Sequence, residues 1–185
     1  MQLLVVNNHS KHLAELIDKL ENIELVDFRK LGKINRNSFD AVILSGGSSL
    51  CVEGHDKQYS AEINLIKTCN KPILGICLGF ELISHAYGEE LQLLNHKAKG
   101  TFDITITARD ALFEKLPEKF KVFESHRWVV PKTTALVTLA KSKNGVEAVK
   151  HPTKLIYGVQ FHPEVLVEKS HAELILNNFI QLVPG

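Results

Sequence analysis

The chain has 185 residues, 44% of them hydrophobic and 23% charged, with 22 Lys+Arg against 21 Asp+Glu for a formal net charge of +1. Those proportions exclude a mini-protein scaffold, since a domain of this size buries roughly 70% of its unfolded surface and completes a core without disulfides or metal. The interleaved charges form no basic stripe for nucleic acid or an anionic membrane, and Leu3 to Val6 is too short an apolar run for a signal core or a span. The expected setting is cytoplasmic. Cys51, Cys69 and Cys77 contain no CxxC pair, which argues against a disulfide framework and a zinc site.

Short apolar runs alternate with helical patterns through the first half, as in parallel strands joined by crossover helices. Gln2 to Val6 reads as a buried strand; Leu13, Leu16, Ile17 and Leu20 then repeat at helical spacing behind Asn7, Asn8 and Ser10. Glu24 to Phe28 and Ala41 to Leu44 are the next strands, the latter running into the glycine loop Ser45 to Ser49. A helix through Ile63, Leu65 and Ile66 ends near Asn70. Pro72 opens the strand Ile73 to Ile76, which breaks at Cys77 into a helix from Leu78 to Tyr87, stopped by Gly88. In the second half Phe102, Ile104 and Ile106 alternate with polar residues at the period of a half-exposed strand. Further strands are predicted at 121–123, 135–139, 146–149 and 155–161. Ser170 with Glu173 spells a capping box for a last helix carrying Leu174, Ile175, Asn178 and Phe179. No linker or repeat interrupts the chain, so residues 1–185 read as one α/β domain with antiparallel strands added late.

Gly75-Ile76-Cys77-Leu78-Gly79 is the thiol counterpart of the G-x-S-x-G elbow, in which small neighbours let a strand turn sharply into a helix. The turn exposes the sulfur at a helix N-terminus, where free N–H groups favour the thiolate. An isolated cysteine is more often a small buried hydrophobe; the glycine bracket after a strand favours the reactive reading. A nucleophilic thiol needs a base and a group that orients the base. His162 and Glu164 fit, because residues two apart on an extended chain point to the same side and Pro163 favours that conformation. Alone, His-Pro-Glu is equally a turn. In the loop Ser45 to Ser49, the adjacent glycines let a backbone N–H point at an oxyanion, with the Leu78 N–H as second donor. The loop is otherwise an ordinary turn or a phosphate cradle, although no Gly-Lys-Ser/Thr of a Walker loop follows. The remaining histidines lie on separate segments without the i, i+4 spacing of a zinc helix, so no metal is expected.

Three segments in this order, Leu44 to Gly47, Pro72 to Gly79 and Tyr157 to Glu164, make the chain resemble the class I glutamine amidotransferases along nearly its whole length. The resemblance implies an open, mostly parallel, flavodoxin-like sheet flanked by helices. It implies that Cys77 attacks the side-chain amide of L-glutamine, with His162 as acid and base, Glu164 orienting it, and Gly47 with Leu78 holding the oxyanion. It implies no cofactor in this chain, with ammonia passing to a separate ATP-dependent synthetase that binds ATP and magnesium itself. Ser125-His126 and Glu147 to His151 look most like the glutaminase subunit of two-subunit GMP synthetases, and Ser125 and His126 are expected near the substrate. The alternatives are the glutaminase of anthranilate or aminodeoxychorismate synthase, a stand-alone γ-glutamyl hydrolase, and a weakened regulatory subunit. The family's His-Gln after the elbow is here Phe80-Glu81; Glu81 is expected at the substrate as an acceptor-only group, so that Glu81→Gln lowers KM. Where the family type carries an acidic pair, this chain has Trp128-Val129, with Trp128 either buried or an interface anchor.

Overall fold

The computed structural model describes residues 1–47, 50–168 and 170–184, so Ser48 and Ser49 of the glycine loop lie outside the described residues. Nine strands form one sheet in the order β2-β1-β3-β4-β9-β8-β7-β5-β6. The strands are β1 (Leu3–Asn8), β2 (Ile23–Asp27), β3 (Ala41–Gly47), β4 (Ile73–Ile76), β5 (Gln92–Ile106), β6 (Lys119–Val129), β7 (Val137–Ser142), β8 (Gly145–Lys150) and β9 (Ile156–Val159). From β2 to β9 all neighbours are parallel; from β9 through β8, β7 and β5 to β6 they are antiparallel. The helices are α1 (Leu13–Ile17), α2 (Ser60–Thr68), α3 (Leu78–Ala86) and α4 (Leu174–Gln181), with 3₁₀ turns at Phe28–Lys33 and Ala111–Phe113. No helix among the described residues is long and apolar enough to cross a membrane.

The uninterrupted apolar runs of β1, β3 and β4 arise because both faces of the parallel block are covered. Leu3, Val5, Ile43 and Leu74 pack toward α1 and α4, meeting Leu16, Ile175 and Phe179. Leu4, Val6, Leu44 and Ile73 face the other way, onto Leu65 and Ile66 of α2 and Leu82 and Ile83 of α3. The antiparallel half curls back on the parallel half: the Val146 N–H donates to the Val130 carbonyl at 2.9 Å and the His162 N–H to the Phe123 carbonyl at 2.8 Å. β6 therefore closes over the ends of β8 and β9.

Three local expectations change. β3 continues to Gly47, because Gly47 pairs with Asn8 of β1. β5 begins at Gln92 rather than near Phe102; of its first ten residues only Ala98 is buried, so that stretch carries no hydrophobic period. The capping box at Ser170 is not made: the Ser170 hydroxyl donates to the Lys121 carbonyl and accepts from the Ala172 N–H, and α4 starts after Glu173 without a side-chain cap.

Candidate active site

The C-terminal ends of β1, β3, β4 and β9 converge, which is where open α/β sheets bind ligands. At the end of β4 the chain turns at Cys77, whose φ of 51° and ψ of −101° place it in the left-handed half of conformational space as the N-cap of α3. Such a conformation costs a non-glycine residue about 1–3 kcal/mol. Gly79 explains how the helix is seated, since a Cβ there would overlap the Leu44 carbonyl. The Cys77 N–H is held by the Val159 carbonyl at 2.8 Å, fixing the elbow to β9, the strand that leads to His162.

His162 and Glu164 come together as the sequence predicts. The ring Nδ1 donates to Glu164 Oε1 at 2.7 Å, and both side chains are buried. That bond leaves Nε2 for the sulfur of Cys77. Burial works against a charged ring, but the charge and hydrogen bond of the Cys77 sulfur, followed by those of Glu164, outweigh it and push His162 up to about 10. The direction favours an imidazolium at neutral pH. Gly46 forms its floor: a Cβ there would lie 2.9 Å from His162 Cε1, 3.3 Å from Ser10 Oγ and 3.5 Å from Cys77 Cβ.

A cavity of about 310 Å³ opens over this pair, lined by Gly47, Cys77, Leu78, Glu81, Ser125, His126 and His162 among others. That volume suits a small metabolite. Every sequence-predicted site residue except Glu164 reaches the cavity, and Glu164 stands behind His162.

Two predicted contributors line the cavity and make further contacts. His126 lines the cavity, yet Nδ1 faces the Trp128 carbonyl at 3.0 Å and Nε2 faces Glu124 Oε2 at 3.1 Å. Both nitrogens face protein oxygens within hydrogen-bond distance. Glu81 is buried, which pushes its carboxyl up to about 8, partly offset by a 3.5 Å hydrogen bond from Gln160 Nε2. A shift in that direction favours the neutral acid, which carries a donor as well as an acceptor and approximates a glutamine side chain.

Sequence reasoning missed the amino-terminal contribution. Ser10 and His12 line the cavity; the His12 ring meets His162 edge-on with centroids 4.9 Å apart and Phe123 at 5.4 Å. Their position just beyond β1 was the available signal, because loops after parallel strands build such sites. Cys51, Lys11, Lys97, Arg127 and Trp128 complete the lining. Trp128 is half-buried there, opposite Leu93 of β5. For metal binding, one cluster among the described residues has suitable donors: Glu124, His126 and Glu147, with one ligand atom from each within 4.8 Å of the others.

The model of the class-I glutamine amidotransferase family matches residues 4–182. The chain is 34% identical over 188 residues to one subunit of the glutamine-hydrolysing GMP synthase of Methanococcus vannielii, with 97% of this chain and 96% of that protein aligned. It is 33% identical to the GMP synthase of Spiroplasma kunkelii across 84% of this chain but 30% of that longer protein. A crystal structure from Thermoplasma acidophilum, described as the corresponding GMP synthase subunit, superposes with a TM-score of 0.84 at 25% identity, covering 98% of this chain and 92% of that one. With the elbow, the cavity and a family match running almost from end to end, the chain belongs to the class-I glutamine amidotransferases.

Proposed function

We propose that this chain is the glutaminase subunit of a two-subunit GMP synthase, hydrolysing L-glutamine through a Cys77–His162–Glu164 triad and delivering ammonia to a separate synthetase subunit. The observation that carries the reading is the strained Cys77 elbow facing an imidazole that is itself held by a buried carboxylate. The Cys77 thiolate attacks the glutamine carboxamide carbon, and the carbonyl electrons move onto oxygen, where the Gly47 and Leu78 N–H groups receive them. Collapse of this oxyanion breaks the C–N bond as His162 passes its proton to the departing nitrogen, giving ammonia and a glutamyl thioester. His162, now neutral, takes a proton from water; the hydroxide adds to the thioester, and the second collapse releases glutamate and returns the thiolate–imidazolium pair. Glu164 keeps the ring in the one tautomer and orientation that serves both steps. This chemistry uses no cofactor. ATP and magnesium act on the nucleotide acceptor in the partner, in keeping with a relative named as one subunit of its enzyme and with the longer Spiroplasma protein that aligns here over only 30% of its length.

The test combines labelling with reconstitution. A glutamine-derived electrophile is expected to modify Cys77 stoichiometrically, with Cys77→Ser abolishing both adduct and ammonia release. Adding a GMP synthase synthetase subunit with ATP, magnesium and xanthylate is expected to yield GMP from glutamine. Full ammonia release without GMP formation would disprove the partner assignment, and no adduct at saturation would disprove the glutaminase.

A further inference from the structure

Glu124 and His126 of β6 project to the same side of one strand, and the curl of the sheet brings Glu147 of β8 against them. All three side chains are buried, at 0%, 4% and 1% exposure. The Nδ1–H of His126 donates to the Trp128 carbonyl, which fixes the tautomer and leaves the Nε2 lone pair facing Glu124 Oε2 at 3.1 Å. Two acceptors at that distance require something positive beside them. A shared proton or a metal ion can serve that pair. Moreover, Glu124 Oε1 and Glu147 Oε2 are buried without a hydrogen-bond partner among the described residues, whereas such atoms in folded proteins are almost always satisfied.

We propose that Glu124, His126 and Glu147 form a binding site for a divalent, zinc-type ion that fastens β6 to β8 behind the cavity wall. In a tetrahedral zinc site with bonds of about 2.0–2.1 Å, adjacent ligand atoms stand roughly 3.3 Å apart. The His126–Glu124 pair already has nearly that separation, and the unpartnered carboxylate oxygens supply the rest. Burial and the Glu124 charge raise the Glu147 carboxyl to about 8, so metal binding displaces its proton; two carboxylates and a neutral imidazole then sum to −2, which a divalent ion cancels. The imidazole selects a zinc-like ion over calcium or magnesium. The surrounding groups match the outer support of a metal site: the Trp128 carbonyl orients the imidazole, the Ser142 hydroxyl donates to Glu147 Oε1 at 2.6 Å, and Asn144 Nδ2 donates to Glu124 Oε2 at 3.4 Å. The ligands sit 2 and 21 positions apart on two strands, outside any spacing motif.

The experiment uses the full chain with Cys77→Ser, so that the elbow thiol does not compete for metal. After incubation with zinc chloride and gel filtration, elemental analysis is expected to find about one zinc per chain, and zinc in hundredfold excess over Kd to raise Tm by about 5–10 °C. Adding Glu147→Gln is expected to weaken zinc binding at least tenfold. Cobalt(II) substitution is expected to give the visible bands of a four-coordinate ion without a thiolate charge-transfer band. Below about a tenth of a zinc per chain, equal retention in the Glu147→Gln protein, or a thiolate band pointing to Cys51 would each overturn the proposal. If Glu147→Gln fails to fold, Ser142→Ala replaces it: a tenfold loss of affinity supports the site and unchanged affinity overturns it.

Discussion

Replacing Glu81 with glutamine isolates the effect of one buried proton. The wild-type carboxyl, pushed up to about 8 by burial, is about nine-tenths neutral at pH 7 and about one-tenth neutral at pH 9. If glutamine binds only the neutral form, apparent affinity scales with the neutral fraction, so wild-type KM rises about tenfold from pH 7 to pH 9. Glu81→Gln keeps the shape and the donor at every pH. Its KM is therefore expected within about twofold of wild type at pH 7, and flat to pH 9. The assay is ammonia release against glutamine concentration at half-unit pH steps, separating kcat from KM. A wild-type KM that stays level to pH 9, or a variant KM that climbs with it, would refute the reasoning.

Gly46→Ala places a methyl 2.9 Å from His162 Cε1, so kcat is expected to fall about 10²-fold by displacement of the ring while circular dichroism stays native. Cys77→Gly relieves the left-handed φ that Cys77→Ala retains, and is expected to melt about 2–4 °C above it in calorimetry, neither variant having activity. The carboxyls of Glu62 and Glu81 are raised by burial to about 7 and about 8, and His162 to about 10, so the folded state holds protons the unfolded chain releases. The stability these groups contribute is complete below the unfolded carboxyl range for the glutamates and below about pH 6.5 for the histidine. It is lost as pH rises through the folded values. Tm is therefore expected to drop by about 5–10 °C between pH 6 and pH 9, and a rise over that range would contradict the assignment.

The parallel block and the elbow were legible because their signals are local: an apolar run for each doubly covered strand, glycines beside Cys77, and a proline between His162 and Glu164. What escaped depends on partners distant in the chain. Nothing in the sequence near Glu81 reveals that burial raises its carboxyl, and the packing of His12 against His162 depends on β1 lying beside β3. The Ser170–Glu173 pattern failed for a similar reason, its hydroxyl being taken by the Lys121 carbonyl 49 positions away. The place of His126 in the wall was legible, but the engagement of both its nitrogens follows from the fold of β6.

β9 is the final strand in the chain, yet it occupies the middle of the sheet, between β4 and β8. A chain that stops short of β9 therefore carries Cys77 on a sheet whose β4 margin is bare and lacks His162 as well. The strand that completes the sheet and the imidazole of the proposed triad arrive on one segment. Truncated chains ending before residue 156 are therefore expected to release no ammonia from glutamine and to self-associate through that open margin in gel filtration.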